Sequence, residues 1–229
     1  MPSWQFFVTG TDTGVGKTFV SCQLLLAAEQ LGLSTLGLKP IASGCEWING
    51  EWQNEDALAL KKHASVKLPY ADINPIALPR AIAPHLAAEA AGKTLTVSDL
   101  KKYYQTLQPS PAAFTLLEGA GGWYVPLNAK ETFSDFVTAL KLPVILVVGI
   151  RLGCINHALL TAAAIQSQDL KLAGWVANCP DPDTDMQDAI VATLAERLLA
   201  PMLGKLPYCS QQSDTHQLNQ CLDLSNLLN

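Results

Sequence analysis

The chain has 229 residues, 15 basic against 20 acidic, and a formal net charge of −5 at pH 7. That balance leaves no basic footprint for nucleic acid or for an anionic membrane surface, so the expected partners are small soluble molecules. Six cysteines without a CxxC pair and four histidines without ligand spacing argue against structural zinc and for reduced thiols, most of them in the core.

The length fits one domain spanning 1–229, which buries roughly 70–75% of the surface its unfolded chain exposes. The opening MPSWQFFVTG lacks a basic region and a long apolar core, so no secretory signal is expected and the chain is assigned to the cytoplasm. The apolar run LPVILVVGI is about half of a spanning helix and fits a buried strand instead.

In chain order, QFFVTG (5–10) is a strand, followed by a helix from about Lys17 to Leu31 that stops at Gly32. On that helix Phe19, Cys22, Leu25, Leu26 and Glu29 mark the side expected against a sheet. TLGLKP (35–40) is a second strand, and AFTLLEG (113–119), PVILVVG (143–149), LAGWVAN (172–178) and MLGKLP (202–207) continue the series, each separated by enough chain for a helix. Between Asn54 and Gln108, the pieces NEDALALKKH, PHLAAEAAG and VSDLKKYYQTL form a helical excursion joined by prolines. Near-continuous apolar strands with crossover helices imply an α/β fold, a mostly parallel sheet with helices on both faces.

The chemistry concentrates in VTGTDTGVGKT, residues 8–18. The pattern GxxxxGK[ST] requires glycine at position 11, where Thr11 stands; Gly10 is one residue early. Even so, Gly16-Lys17-Thr18 opens a helix directly after an apolar strand, which aims free backbone amides at one point and makes an anion site. There Lys17 supplies charge to the outer phosphates of a nucleotide, and the Thr18 hydroxyl serves magnesium.

Magnesium also needs carboxylates. Glu118 closes its strand at the carboxyl end, the edge where open α/β sheets bind ligands, and Gly-Ala-Gly-Gly follows it. Asp56 is the second candidate, although an acidic residue at a helix start also serves as a cap. Lys39 ends the second strand; placed beside the carboxyl end of the first, it brings a second ammonium to the phosphates. Ser43 then hydrogen-bonds either a substrate amine or nearby backbone.

The set VTGTDTGVGKT, LKPIASG, LLEGAGGWYVPL, LPVILVVGIRLGCINHALLT and GWVAN, in this order, closely resembles the dethiobiotin synthetase family over Phe6 to about Tyr208. The resemblance implies a P-loop NTPase-like fold and a biotin-pathway reaction in which diaminopelargonate, carbon dioxide and ATP with Mg2+ give dethiobiotin, nucleoside diphosphate and phosphate. An amine becomes a carbamate, the carbamate attacks the γ-phosphate, and the second amine closes the ureido ring. The resemblance puts the phosphates on Gly14, Val15, Gly16, Lys17, Thr18 and Phe19, with Gly119, Ala120 and Gly121 beside them. It makes Thr18, Asp56 and Glu118 the magnesium shell and Lys39, with Lys17, the catalytic cations.

By the same resemblance, Asn178, Cys179, Pro207, Tyr208 and Cys209 form the base-binding wall, and Ser43, Thr11 and Asp12 meet the substrate's reacting end. A homodimer is implied, with Gly153, Cys154 and Asn156 receiving the substrate carboxylate from the neighbouring chain. Arg80 and Ala81 depart from the family pattern before Pro84 and His85, which leaves that wall undefined.

Two other classes compete. A regulatory P-loop ATPase switch acting on a protein or membrane partner usually carries an extra lysine early in the loop, where Thr11 and Asp12 stand; membrane-directed members add a basic tail, whereas SDTHQLNQCLDLSNLLN has no lysine or arginine. An amide-forming relative that uses glutamine nitrogen would need a further domain.

Overall fold

The computed structural model describes residues 3–209 and 218–228; residues 213–217 and 229 of the tail without lysine or arginine lie outside them. Strand β1 (Trp4–Gly10) passes through the glycine-rich loop into α1 (Lys17–Gln30) and then β2 (Thr35–Leu38). Next come β3 (Ile41–Ser43), a hairpin of β4 (Glu46–Ile48) and β5 (Glu51–Gln53), α2 (Glu55–His63), α3 (Tyr70–Ile73), β6 (Ile76–Leu78), α4 (Pro84–Ala90) and α5 (Val97–Thr106). The remainder is β7 (Phe114–Glu118), α6 (Phe133–Leu140), β8 (Val144–Gly149), α7 (Cys154–Ser167), β9 (Leu172–Asn178), α8 (Gln187–Arg197), β10 (Met202–Leu206) and α9 (Ser225–Leu228).

The six expected strands form one sheet in the order β10-β9-β8-β1-β7-β2, every neighbouring pair parallel. Alternation along each strand feeds two cores. Phe6 and Val8 of β1, with Ile145 and Val147 of β8, pack against Val20, Leu24 and Leu25 of α1. Phe7, Leu146 and Val148 point to the other face, against Phe136 of α6, Ala158 of α7 and Leu194 of α8. Both faces are covered, which is why the strands are apolar throughout rather than at every second residue. Among the described residues no helix is long and apolar enough to cross a membrane. Cys22, Cys45, Cys154 and Cys179 are buried free thiols.

Three expectations need correction. The apolar side of α1 is broader than Phe19, Cys22, Leu25, Leu26 and Glu29: Val20, Leu24, Ala27 and Ala28 are buried, Phe19 and Leu26 only half-buried, and Glu29 exposed. The helix lies in a groove between the sheet and α2, so burial extends round most of its circumference. Second, β2 does not lie beside β1; β7 intervenes, and Lys39 reaches the site from the sheet edge. Third, the 54–108 excursion is not wholly helical. The helices expected there appear as α2, α4 and α5, but β6 pairs with β3 in a separate two-stranded sheet, Ile41 opposite Ile76 and Ser43 opposite Leu78.

The β4–β5 hairpin turns at Asn49-Gly50, with φ of 51° and 90°, the positive pair that a two-residue primed turn requires. Trp47 faces Trp52 across it at 5.3 Å between ring centroids, and they are 61% and 38% exposed. Asn54 Nδ2 donates to the Ser43 carbonyl at 3.4 Å and ties together the two ends of the hairpin segment.

Behind the hairpin, the Tyr70 hydroxyl accepts from the Asn54 N–H at 2.8 Å and donates to Asn74 Oδ1 at 2.9 Å. Asn74 Nδ2 donates in turn to the Lys39 carbonyl at 2.6 Å. This buried relay joins the end of β2 to the start of α2. Tyr70→Phe leaves the Asn54 N–H and Asn74 Oδ1 short of a partner and is expected to lower unfolding free energy by about 1–3 kcal/mol. Urea denaturation checks it, and a variant as stable as its parent would show that the relay is dispensable.

Candidate active site

The loop from Gly10 to Thr18 curls over the carboxyl end of β1. Gly14 and Gly16 take φ of 74° and 86°, in the left-handed region. A Cβ on Gly16 would collide with the Asn178 amide, whose Nδ2 donates to the Val15 carbonyl at 2.9 Å. Helix α1 starts at Lys17 with no side-chain cap and no acidic residue in its first turn, so its leading N–H groups remain open to an anion.

Lys17 is 7% exposed, and its Nζ donates to the Asp12 carbonyl at 3.1 Å. Burial pushes its pKa down to about 8, and the Lys39 charge adds to the depression. On the other side of the loop, Glu118 is 0% exposed at the last position of β7. Its Oε1 accepts from the Thr18 hydroxyl at 2.7 Å and from Lys39 Nζ at 2.7 Å, while the buried Oε2 has no hydrogen-bond partner. Lys39, 4% exposed, also lies 3.0 Å from Asp56 Oδ2 and donates to the Gly119 carbonyl at 3.2 Å. Burial opposes the Lys39 ammonium, but Glu118 and Asp56 overrule it and hold the pKa above the ordinary lysine value. Burial likewise opposes the Asp56 carboxylate; Lys39 and Thr18 outweigh it and hold its pKa below the ordinary value.

These groups border a cleft of about 340 Å³ whose walls include Gly14, Gly16, Lys17, Thr18, Lys39, Ser43, Asp56, Ala120 and Gly121, all anticipated from the sequence. Thr13, Ala42 and Asn54 also line it and were not anticipated. The capping position of Asn54, whose Oδ1 accepts the Asp56 N–H at 3.1 Å, was a signal available in the sequence. Thr13 carried none.

Other expected residues stand off the cleft. The Asp12 carboxylate turns outward to Arg151 and to the Thr13 N–H, and Thr11 donates its N–H to the Val147 carbonyl at 3.0 Å; neither lines the cleft. Val15 packs into the core beneath the loop and Phe19 packs against the same core, and neither lines the cleft. Gly119 leaves Phe7 its space, since a Cβ there would lie 2.7 Å from the Phe7 ring. The thiols of Cys179 and Cys154 are buried, while Gly153 and Asn156 are exposed at the start of α7 and do not line the cleft. Pro207, Tyr208 and Cys209 follow β10, whose Leu206 pairs with Asn178, so the two segments adjoin at the carboxyl edge of the sheet. His85 lines a separate cavity with Pro126 and Lys130, and the Arg80 carbonyl accepts the Gly44 N–H at 3.1 Å beside Ser43.

A parallel sheet with β1 at its centre, a glycine-rich loop at that strand's carboxyl end and a Gly-Lys-Thr helix start define a P-loop nucleotide-binding protein. A family model described as an AAA domain matches residues 4–215. The chain is 54% identical over 202 residues to the ATP-dependent dethiobiotin synthetase BioD of Pseudomonas paraeruginosa, covering 88% of this chain and 89% of that one. It is 49% identical to the BioD of Cellvibrio japonicus and 46% identical to BioD 1 of Salmonella typhi, each over 97% of both chains. The chain belongs to the ATP-dependent dethiobiotin synthetase family. Among solved structures, MinD of Aquifex aeolicus superimposes with a TM-score of 0.56 at 16% identity, covering 97% of this chain and 88% of that one. MinD of Pyrococcus horikoshii, complexed with Mg-ADP, gives 0.56 at 14%, covering 96% and 86%. At these identities the likeness is one of fold.

The Lys17 pKa has a consequence for stability. It is 10.5 in the unfolded chain and about 8 in the folded one. Below pH 8 both states hold the proton, and the desolvated charge costs stability; between pH 8 and 10.5 the unfolded state binds more proton, so stability rises with pH. Lys17→Met is therefore expected to be more stable than its parent at pH 7, by up to about 3 kcal/mol, with the gap closing towards pH 10.5. Urea unfolding of both proteins across this range tests it, and a gap independent of pH counts against the buried charge.

Proposed function

We propose that the cleft between the phosphate loop and Ser43 carries out the ATP-dependent conversion of 7,8-diaminopelargonate and carbon dioxide to dethiobiotin. The observation that carries this reading is the juxtaposition of two buried ammoniums, Lys17 and Lys39, with Thr18, Glu118 and Asp56 at the mouth of one helix. Forming a mixed anhydride from a carbamate requires positive charge around the transferring phosphoryl group, and two preorganised lysines supply it.

In this reading the first-turn amides and Lys17 hold the β- and γ-phosphates, and Lys39 balances charge on the γ-phosphoryl group as the carbamate oxygen attacks. Nucleoside diphosphate leaves. The second amine then attacks the carbamoyl carbon, closes the ureido ring and expels phosphate. Ser43 and Thr13 orient the diamine end. Asn178, Pro207, Tyr208 and Cys209 flank the base.

Magnesium fits the donor set. Glu118 has a buried carboxylate oxygen without a partner, and Thr18 and Asp56 add two hard oxygens, matching a cation that takes one or two carboxylates and leaves the rest of its shell to phosphate and water. When bound, it would supply Lewis-acid charge to the phosphates.

The reading also includes a cytoplasmic homodimer of single P-loop domains spanning 1–229. Gly153, Asn156 and the Cys154 backbone at the head of α7 would receive the substrate carboxylate held by the partner. Leu152, 99% exposed just ahead of α7, and Leu160, exposed on that helix, support an interface there. A regulatory switch has only the fold on its side.

Purified protein given diaminopelargonate, bicarbonate, magnesium and ATP is expected to release phosphate in step with ureido product. Lys17→Ala and Lys39→Ala are expected to lower kcat by about 10²–10³ or more while far-UV circular dichroism stays unchanged. Phosphate release that ignores diaminopelargonate at saturation would defeat the reading, and parental turnover in Lys39→Ala would remove that residue's role.

A further inference from the structure

Arg151 lies just beyond β8, and the site described above gives it no part. Its Nη2 donates to Asp12 Oδ2 at 2.5 Å. Asp12 Oδ1 accepts the Thr13 N–H at 2.7 Å, and the Asp12 carbonyl accepts from Lys17 Nζ at 3.1 Å. One residue thus connects Arg151 both to the cleft-lining Thr13 and to the phosphate-loop lysine. Among the described residues, no other ion pair involves positions 11–16. The remaining anchors of that stretch include the Thr11 N–H on the Val147 carbonyl and the Asn178 amide on the Val15 carbonyl. Between these two anchors, the peptides of Asp12 and Thr13 precede Gly14, whose would-be Cβ meets nothing within 4 Å.

We infer that Arg151 is a positioning residue for the phosphate loop. By holding the Asp12 carboxylate, it fixes the Asp12 peptide in the orientation that presents Thr13 to the cleft and parks the Lys17 ammonium beside the phosphate position. Without it the segment ahead of Gly14 samples more conformations, and nucleotide binding must then order them, which weakens affinity without touching the reacting atoms. The pair is about half exposed on both sides, so the effect is modest, roughly fivefold. The inference rests on nucleotide binding in the loop and not on the identity of the acceptor substrate.

The experiment compares Arg151→Met, Asp12→Asn, the double variant and Arg151→Lys. Calorimetry with ADP and magnesium gives affinity in the absence of other substrates, and steady-state assays give KM for ATP and kcat. Arg151→Met is expected to weaken ADP binding and raise KM for ATP by the same factor, roughly fivefold, at unchanged kcat, and Asp12→Asn to weaken ADP binding by a like factor. The double variant is expected to be no worse than Asp12→Asn, and Arg151→Lys to recover part of the loss. Unchanged affinity overturns the inference, as does a fall in kcat at parental KM. Additive losses in the double variant overturn it too, because Arg151 would then touch phosphate directly. A parent that binds ADP yet ignores diaminopelargonate defeats the proposed reaction while leaving this test intact; a parent that binds no ADP removes both.

Discussion

The buried carboxylate of Glu118 is the constraint around which the site is arranged. A carboxylate with no solvent exposure persists only when paired, and breaking such a pair is far more costly than never having formed it. Glu118 meets this demand with groups from two other segments, Thr18 in the first turn of α1 and Lys39 beyond β2. The charge requirement of one side chain therefore locks three chain segments at the carboxyl edge of the sheet, and Asp56 of α2 joins through Lys39. Two ammoniums and two carboxylates come out even. An entering polyphosphate would bring negative charge into a balanced set, and that excess is what a divalent cation would offset.

The elements between β2 and β7 give this cluster its stiffness. Lys39 is held at its carbonyl by Asn74, and Asp56 at its amide by Asn54; Tyr70 bridges the two asparagines. The segment added between two sheet strands is thus a bracket for the cation and carboxylate that face the loop, and the small β3–β6 sheet carries Ser43 to the opposite wall. Positioning by packed, hydrogen-bonded elements suits chemistry whose main requirement is placed charge.

Much of this was legible from residues alone, for identifiable reasons. Strands covered on both faces are written as unbroken apolar runs, so all six were apparent; Gly16-Lys17-Thr18 after the first of them gave the anion site. Strand order is not written locally, which is why Lys39 was set beside β1 when β7 lies between. Loop conformation is equally hidden: with Gly14 and Gly16 in the left-handed region, Thr13 turns into the cleft and Asp12 away from it. Val15 and Cys179 belong to a nucleotide-site pattern, yet their side chains fill the core beneath it. Three-residue strands such as β3 and β6 are too short to show a period, and their pairing depends on a partner more than thirty residues away.

The β4–β5 hairpin has a practical consequence in spectroscopy. Of five tryptophans, Trp123 and Trp175 are buried, whereas Trp47 and Trp52 stand out on a hairpin rooted between Ser43 and Asn54, two walls of the cleft. Emission from this solvated pair lies to the red of the buried indoles and is open to collisional quenchers such as iodide. The protein therefore carries an intrinsic optical reporter at the rim of its own cleft, separable from the core signal without any label.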